Sequence, residues 1–133
     1  MKTILLFVSP FLLSFMAEAA GFRVFAPSSR SGTLWIVKAT PEGKELQLQV
    51  ERKVALGRAA RVITAHPAKP LLYVTATSGD PGNVPGAVVS LSAKGMYEKH
   101  LPVHFNDGSC YLSVDRGHNH LLGVSYGNGR LHV

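Results

Sequence analysis

Short apolar runs rich in Val, Ile, Leu, Thr and Tyr alternate along the chain with clusters of Gly, Pro, Asn and Asp. No window keeps a helical spacing of apolar residues over three turns, so the pattern predicts an all-β fold. Clusters of turn-forming residues stand between the predicted strands, as expected where a strand ends and the chain reverses. The ten predicted strands are residues 22–26, 32–38, 46–54, 61–65, 71–76, 86–91, 96–104, 111–114, 120–126 and 129–133, and the main turns are 41–43, 66–67, 78–82, 106–108 and 127–129.

An internal repeat groups these strands. Residues 62–74 can be laid over residues 111–124, with starting points 49 positions apart and one extra residue in the second turn. Residues 32–37 correspond in the same way to residues 86–91, and each of these segments opens an outer hairpin. A period of roughly 40 to 50 residues with about four short strands is typical of a β-propeller blade. The alternative is chance similarity between β-rich segments of a sandwich.

Three motifs within the repeat resemble a known family. They are His66-Pro67 before Leu71 to Val74, Cys110-Tyr111 followed by Asp115, and Tyr126-Gly127-Asn128-Gly129. Together they resemble two successive blades of the seven-bladed lactonase propellers, which include the 6-phosphogluconolactonases and related carboxymuconate-cyclising enzymes. The resemblance covers residues 32–133, nearly all of the chain that follows its N-terminal apolar segment.

The motif residues are expected to shape the scaffold. His66-Pro67 and Asp115-Arg116 fall in turns that join two strands, where a fixed proline φ or a side-chain hydrogen bond to the backbone sets the reversal. Gly127-Asn128-Gly129 supplies residues that tolerate positive φ in a tight hairpin. Because such residues define every blade, scaffold roles are favoured over catalytic ones.

The resemblance implies hydrolysis of a sugar lactone without a metal or other cofactor. The family's catalytic landmark, a His-Pro-His segment in the following blade, has no match up to Val133, so the catalytic residues stay unassigned. The expected ligand is a small-molecule lactone or sugar-acid derivative. A non-catalytic propeller that acts as a binding module and an inactive truncated product are the alternatives.

Length sets the expected extent of the propeller. Seven blades of about 45 residues need about 315 residues, whereas the chain has 133, of which 114 follow Ala19. A partial β-propeller of about two and a half four-stranded blades is therefore expected, as an N-terminal fragment or a truncated product. An open arc of blades would leave uncovered edges and faces, which favours self-association.

The N-terminus has the pattern of a secretory signal peptide. Lys2 precedes an apolar stretch over residues 4–16, and Ala17-Glu18-Ala19 has the small-x-small form of a cleavage site. The apolar core is shorter than the ~20 residues that span a bilayer, which disfavours the alternative of an uncleaved anchor. Cleavage after Ala19 is expected to leave residues 20–133 as a secreted or periplasmic domain that is not held in a membrane.

Charge and cysteine content exclude some partners. The chain has 14 Lys and Arg against 8 Asp and Glu, a formal net charge of +6 that is spread along the sequence. Nucleic-acid binding needs a clustered basic face, so it is not expected. Cys110 is the only cysteine, which excludes an internal disulfide, and a buried, inert thiol is the favoured interpretation.

Several motifs suggest catalysis or metal binding but have simpler interpretations. Gly123 to Gly127 fits G-x-S-x-G, yet Ser125 is followed by a hairpin rather than by the helix that a nucleophile elbow requires. The pairs His100/His104 and His118/His120 lack the further ligands of a zinc site, so solvated histidines are expected. Trp35 and Tyr73 are interpreted as packing residues.

Overall fold

A computed structural model describes residues 21–77, 79–80 and 82–133. The predicted signal peptide, residues 1–19, lies outside the described residues, as do positions 78 and 81 of one predicted turn. Over the described part the fold is all-β, with three antiparallel sheets and no α-helix. Within that part no helix is long and apolar enough to cross a membrane.

The three sheets follow one another along the chain. Sheet 1 has the strand order β1-β2-β3, sheet 2 has β4-β5-β6-β7, and sheet 3 has β10-β9-β8. A short 3₁₀ turn, Gly57–Ala59, connects sheet 1 to sheet 2. The strands are β1 Phe22–Ser28, β2 Thr33–Glu42, β3 Glu45–Ala55, β4 Val62–Ala65, β5 Leu71–Thr75, β6 Val84–Leu91, β7 Tyr97–Phe105, β8 Tyr111–Val114, β9 Leu121–Ser125 and β10 Arg130–His132. All ten predicted strands are confirmed, with ends that move by up to four residues.

The end of β2 differs from the prediction. Residues 41–43 were expected to form a turn, but β2 continues through Pro41 to Glu42, and only Gly43 and Lys44 form the loop to β3. Pro41 fits in the strand because β1 pairs with β2 only as far as Ala39, so the missing N–H of the proline faces no strand on that side. Gly43 has φ of 62°, as the first central residue of a type II′ hairpin turn requires.

The main core lies between sheets 1 and 2. Its buried members alternate along their strands, so one face of each sheet supplies them. They are Leu34, Ile36 and Val54 from sheet 1, and Leu72, Val74, Val89 and Leu91 from sheet 2. Sheet 3 packs on the opposite side of sheet 2, where β8 lies beside β4 and the N–H of Ser109 donates to the carbonyl of Ala76 at 3.3 Å.

The internal repeat is present in the structure with a simpler alignment than the sequence suggested. Val62 pairs with Thr75 and Ala65 with Leu72, while Tyr111 pairs with Val124 and Val114 with Leu121. Every one of these positions is related to its counterpart by 49 residues. The two turns therefore have equal length, and the extra residue placed in the second turn is wrong.

Residues 32–37 and 86–91 do occupy equivalent strands, since β2 and β6 each begin a hairpin with the following strand. Their residue-by-residue alignment does not hold. Leu34 and Ile36 are buried, whereas Val88 and Ser90, which were aligned with them, are only half-buried.

Candidate functional site

Two turns lie side by side where β4 and β8 end. In the first turn, Nδ1 of His66 accepts hydrogen bonds from the backbone N–H groups of Ala68 and Lys69, both at 3.0 Å. An Nδ1 that accepts leaves the proton of a neutral imidazole on Nε2. The side chain is buried, and the N–H of His66 donates to the carbonyl of Leu71 at 2.9 Å. His66 therefore closes the turn, in agreement with its expected scaffold role.

Asp115 closes the second turn in the same way. Its carboxylate accepts backbone N–H groups from His120 and Asn119, both at 2.7 Å, and from Gly117 at 3.2 Å. These bonds, with that from His120 the largest cause, lower the pKa of Asp115 below its ordinary value. Its own N–H donates to the carbonyl of His120 at 3.0 Å, the counterpart of the bond from His66 to Leu71.

Side chains of the two turns form a cleft of about 250 Å³. The imidazoles of His66 and His118 meet edge to face, with ring centroids 5.6 Å apart. His118 has φ of 60°, the one left-handed backbone conformation among the described non-glycine residues. The lining residues are His66, Lys69, Tyr73, Val114, His118, Asn119, His120 and Leu121.

The chemistry of this cleft suits a small polar anion. An ammonium group, imidazoles, a phenol and an amide supply hydrogen-bond donors. Asp115 is not among the described lining residues, although its Oδ2 lies 3.5 Å from Nδ1 of His120, which is one of them. Lys69 is exposed and so free to reorient toward a ligand. Such a set recognises carboxylates and the hydroxyl groups of sugars.

The two histidine pairs noted in the sequence lie in different surroundings. His118 and His120 lie in the turn before β9, and both line the cleft. His100 instead interacts with the Tyr97 hydroxyl, 2.9 Å from its Nδ1, while His104 is exposed on β7. Within residues 21–77, 79–80 and 82–133, no group of three or more His, Cys, Asp or Glu side chains is arranged to hold a metal.

Ser125 does not have the setting of a nucleophile. It is buried at the end of β9, and the four residues after it lead directly into β10. This strand–turn–strand arrangement lacks the helix of a nucleophile elbow. Of the glycines in the turn, only Gly129 has positive φ, 65°, so Gly127 is not held there by backbone conformation.

Ser109 and His132 form a hydrogen-bonded pair that was not predicted from the sequence. Oγ of Ser109 lies 2.8 Å from Nε2 of His132, and Nδ1 of His132 is buried without a partner among the described residues. His132 and Gly123 line a second cleft, of about 300 Å³, but Ser109 is fully buried and out of reach of a substrate. The signal available in the sequence was a glycine inside a strand, which marks close approach of another group.

The repeat explains why this pair exists in sheet 3 alone. Val74 and Ala87 face each other in sheet 2, and their counterparts in sheet 3 are Gly123 and His132. In sheet 2 a valine therefore faces an alanine, whereas in sheet 3 a glycine faces a histidine. The two pairs have similar combined side-chain volumes. The imidazole of His132 is polar, and Ser109 supplies its hydrogen-bond partner.

The exposure of Cys110 contradicts the prediction of a buried thiol. Its side chain was expected to be buried, but the residue is exposed, and its thiol donates to the carbonyl of Val124 at 3.1 Å. The repeat gives the reason, since the counterpart of Cys110 is the exposed Arg61. Both residues donate their N–H to the second strand of their pair, Cys110 to Val124 at 2.9 Å and Arg61 to Thr75 at 3.2 Å.

The two aromatic residues singled out in the sequence have different surroundings. Trp35 is half-buried on sheet 1, and the ammonium group of Lys53 lies 4.2 Å from the centre of its ring. Tyr73 lies on sheet 2 and lines the cleft between the two turns.

No family model, curated protein or solved structure matches the chain.

Proposed function

We propose that the three sheets are successive blades of an exported, lactonase-like β-propeller that acts on a sugar lactone or the corresponding acid. The observation that supports this most is the repeat of 49 residues, in which pairing register and turn length recur together. In each copy a polar side chain at the same position, His66 or Asp115, binds the backbone of its turn. Recurrence at the level of hydrogen bonds is characteristic of repeated structural units rather than of chance similarity.

The cleft between the two turns is where we place the ligand. Lys69 supplies a positive charge, and the Tyr73 hydroxyl supplies a donor or acceptor for sugar hydroxyl groups. Opening a lactone releases a carboxylate, so a cationic donor at the same place would hold either the substrate or its product.

A binding module without catalysis is the second candidate. Hydrolysis needs a base that activates water and donors that stabilise the oxyanion. Nδ1 of His66, one of the imidazole nitrogens at the cleft, is already occupied by two turn N–H groups. That occupation favours recognition over proton transfer at this position.

Calorimetry and a pH-stat assay test the ligand and separate the two candidates. The purified chain is titrated with a six-carbon sugar acid and incubated with its lactone, each with and without a terminal phosphate. Binding of the acid with lactone opening faster than the spontaneous rate supports the enzyme, and binding alone supports the module. Absence of both overturns the proposed ligand class.

A lysine pair provides the control for the location of the site. Loss of one charge-assisted hydrogen bond weakens binding by about tenfold, so Lys69→Ala should weaken binding of the acid by about that factor. Lys44→Ala, in the β2–β3 loop of sheet 1, should leave binding unchanged. Equal binding by both variants and the unaltered chain would place the ligand elsewhere.

Export is tested by the N-terminus of the protein that cells release. Cleavage after Ala19 predicts a chain that begins at Ala20, which intact mass spectrometry of the secreted or periplasmic fraction measures directly. Recovery of the chain with residues 1–19 attached, and in the cytoplasm alone, would contradict this part of the proposal.

A further inference from the structure

Among the residues that the structure describes, sheet 1 has one covered face and one uncovered face. Leu34 and Ile36 point from β2 into the core against sheet 2. Because side chains alternate along a strand, Val37 and the residues in register with it point the other way. This uncovered side, here called the rear face, consists of Phe22, Val24, Val37, Leu48 and Val50. All are exposed except Val37, which is half-buried, and Leu48 reaches 67% exposure.

Sheet 3 also has an uncovered apolar side. Tyr111, Val124 and Leu131 stand opposite one another on its three strands, so they share one face. Their exposed fractions are 63%, 40% and 69%. This row is here called the forward face. The other side of sheet 3, which carries Leu112 and Gly123, is buried toward sheet 2.

The repeat relates the forward face to a surface that is already covered. The counterparts of Tyr111 and Val124 in sheet 2 are Val62 and Thr75, and Thr75 is fully buried. Tyr73, on the same side of β5 as Thr75, lines the cleft together with Val114 and His118 from sheet 3. Sheet 3 therefore packs on the side of sheet 2 that corresponds to its own uncovered forward face.

All three sheets consequently stack in one direction. Val74 and Gly123 are at equivalent positions of the repeat. Val74 lies on the side of sheet 2 that packs against sheet 1, and Gly123 lies on the side of sheet 3 that packs against sheet 2. Within the molecule, the forward side of one sheet always meets the rear side of the next. Two surfaces are covered by no described residue, the rear face of sheet 1 and the forward face of sheet 3, and they are thus of complementary kinds.

From this geometry we propose that copies of the chain associate head to tail, with the forward face of sheet 3 in one copy against the rear face of sheet 1 in the next. The named residues of both faces are uncharged, and Lys53, in register with Trp35 beside the rear face, has its ammonium group 4.2 Å from the centre of the Trp35 ring. Large side chains with these exposures present apolar surface on the order of 400 Å² per face, which is within the size range of the largest apolar patch on a typical monomer, a patch that is often functional. A contact between two different faces closes a ring or extends a filament.

Sedimentation velocity of the purified full chain across the micromolar range tests the proposal. Val50→Lys alters the rear face and Leu131→Lys the forward face, and a buried lysine should weaken the contact by about tenfold or more. Gln47→Lys is the matched control, because Gln47 is an exposed residue of β3 that points away from the rear face. All variants share residues 1–20, so any contribution from that segment is common to them.

A mixture of the two variants distinguishes this arrangement from symmetric pairing. Each variant alone should remain monomeric, since one of its two faces is altered. An equimolar mixture should form a dimer and stop there, because one intact rear face meets one intact forward face. The unaltered chain and Gln47→Lys should increase in mass with concentration.

Three outcomes would overturn the proposal. They are a monomeric unaltered chain at every concentration, association that survives Leu131→Lys, and an equimolar mixture that stays monomeric. Circular dichroism confirms that each variant keeps its strands. If either lysine variant fails to fold, threonine at the same position replaces it in the same three comparisons.

Discussion

Gly123 is the residue that makes room for the Ser109–His132 pair. A Cβ atom at this position would overlap Nε2 of His132 and lie 2.6 Å from Oγ of Ser109. We expect Gly123→Ala to lower the free energy of unfolding by about 1–3 kcal/mol, the usual cost of overpacking. Urea denaturation measures the change. Gly127→Ala is the control, since a Cβ there meets no atom within 4 Å, and it should stay within about 0.5 kcal/mol. Equal effects of the two substitutions would show that His132 is not held against Gly123.

Asp115 makes stability depend on pH in one direction. Its pKa is lowered in the folded chain by the N–H groups of its turn, chiefly that of His120. The contribution of the Asp115 carboxylate to the stability of the folded chain is therefore fully present above the unfolded pKa of about 3.9. It is lost as pH falls through the lower folded pKa. We expect the unaltered chain to exceed Asp115→Ala in stability at pH 7 and the difference to shrink below about pH 4. Thermal melts of both proteins between pH 2.5 and 7 measure this difference in stability.

The conservative variant provides the control for that pH dependence. Asp115→Asn keeps an acceptor oxygen for the turn but has no group that titrates. It should retain part of the stability at pH 7 and lose the pH-dependent part. A stability difference between the unaltered chain and Asp115→Ala that stays constant down to low pH would contradict the role assigned to the carboxylate.

At the scale of elements, the turns after β4 and β8 are closed by the same kind of hydrogen bond. His66 and Asp115 occupy the same position of the repeat and accept backbone N–H groups of their own turns. We expect His66→Ala to lower the free energy of unfolding by about 1–2 kcal/mol, as loss of a helix cap or a buried hydrogen bond does. His66→Asp should recover most of that loss, because a carboxylate performs the same task in the second turn.

Chemical denaturation together with hydrogen exchange tests this equivalence. Protection of the amides of Ala68 and Lys69 should fall in His66→Ala and return in His66→Asp. If the aspartate variant is as unstable as the alanine variant, the two turns have different requirements and their equivalence is restricted to backbone geometry.

The strands could be predicted because alternation and turn residues are local signals. The exact turn alignment could not, since the apolar pair Leu71-Leu72 resembles Leu121-Leu122 better than it resembles its true counterpart, His120-Leu121. Register is decided instead by cross-strand pairing and burial, which depend on distant residues. The exposure of Cys110 was missed for a related reason, because residue type favours burial while its place in the repeat is an exposed one.

The candidate site, too, could be predicted only in its local features. The turns that bear His66 and Asp115 were recognised as turns from their sequence, but their meeting in one cleft depends on how sheets 2 and 3 pack. The Ser109–His132 pair joins residues 23 positions apart, and no spacing rule connects them. Side chains brought together by packing leave little trace in a single sequence.

At the scale of the whole molecule, one direction of stacking accounts for both the core and the uncovered surfaces. Sheet 2 is covered on both sides, whereas sheets 1 and 3 each keep one apolar side exposed. This arrangement follows from the repeat, since equivalent sheets offer equivalent faces. The register of the repeat is consequently the central claim, on which the blade interpretation and the head-to-tail contact both depend.

Cross-strand nuclear Overhauser effects between Hα protons test that register most directly. Such contacts are strongest at the closely spaced pairs of an antiparallel ladder. The structure predicts them between Ile63 and Val74 in sheet 2, and between Leu112 and Gly123 in sheet 3. A contact from Leu112 to Val124 in place of Gly123 would mean a second turn one residue longer, and would contradict the 49-residue repeat.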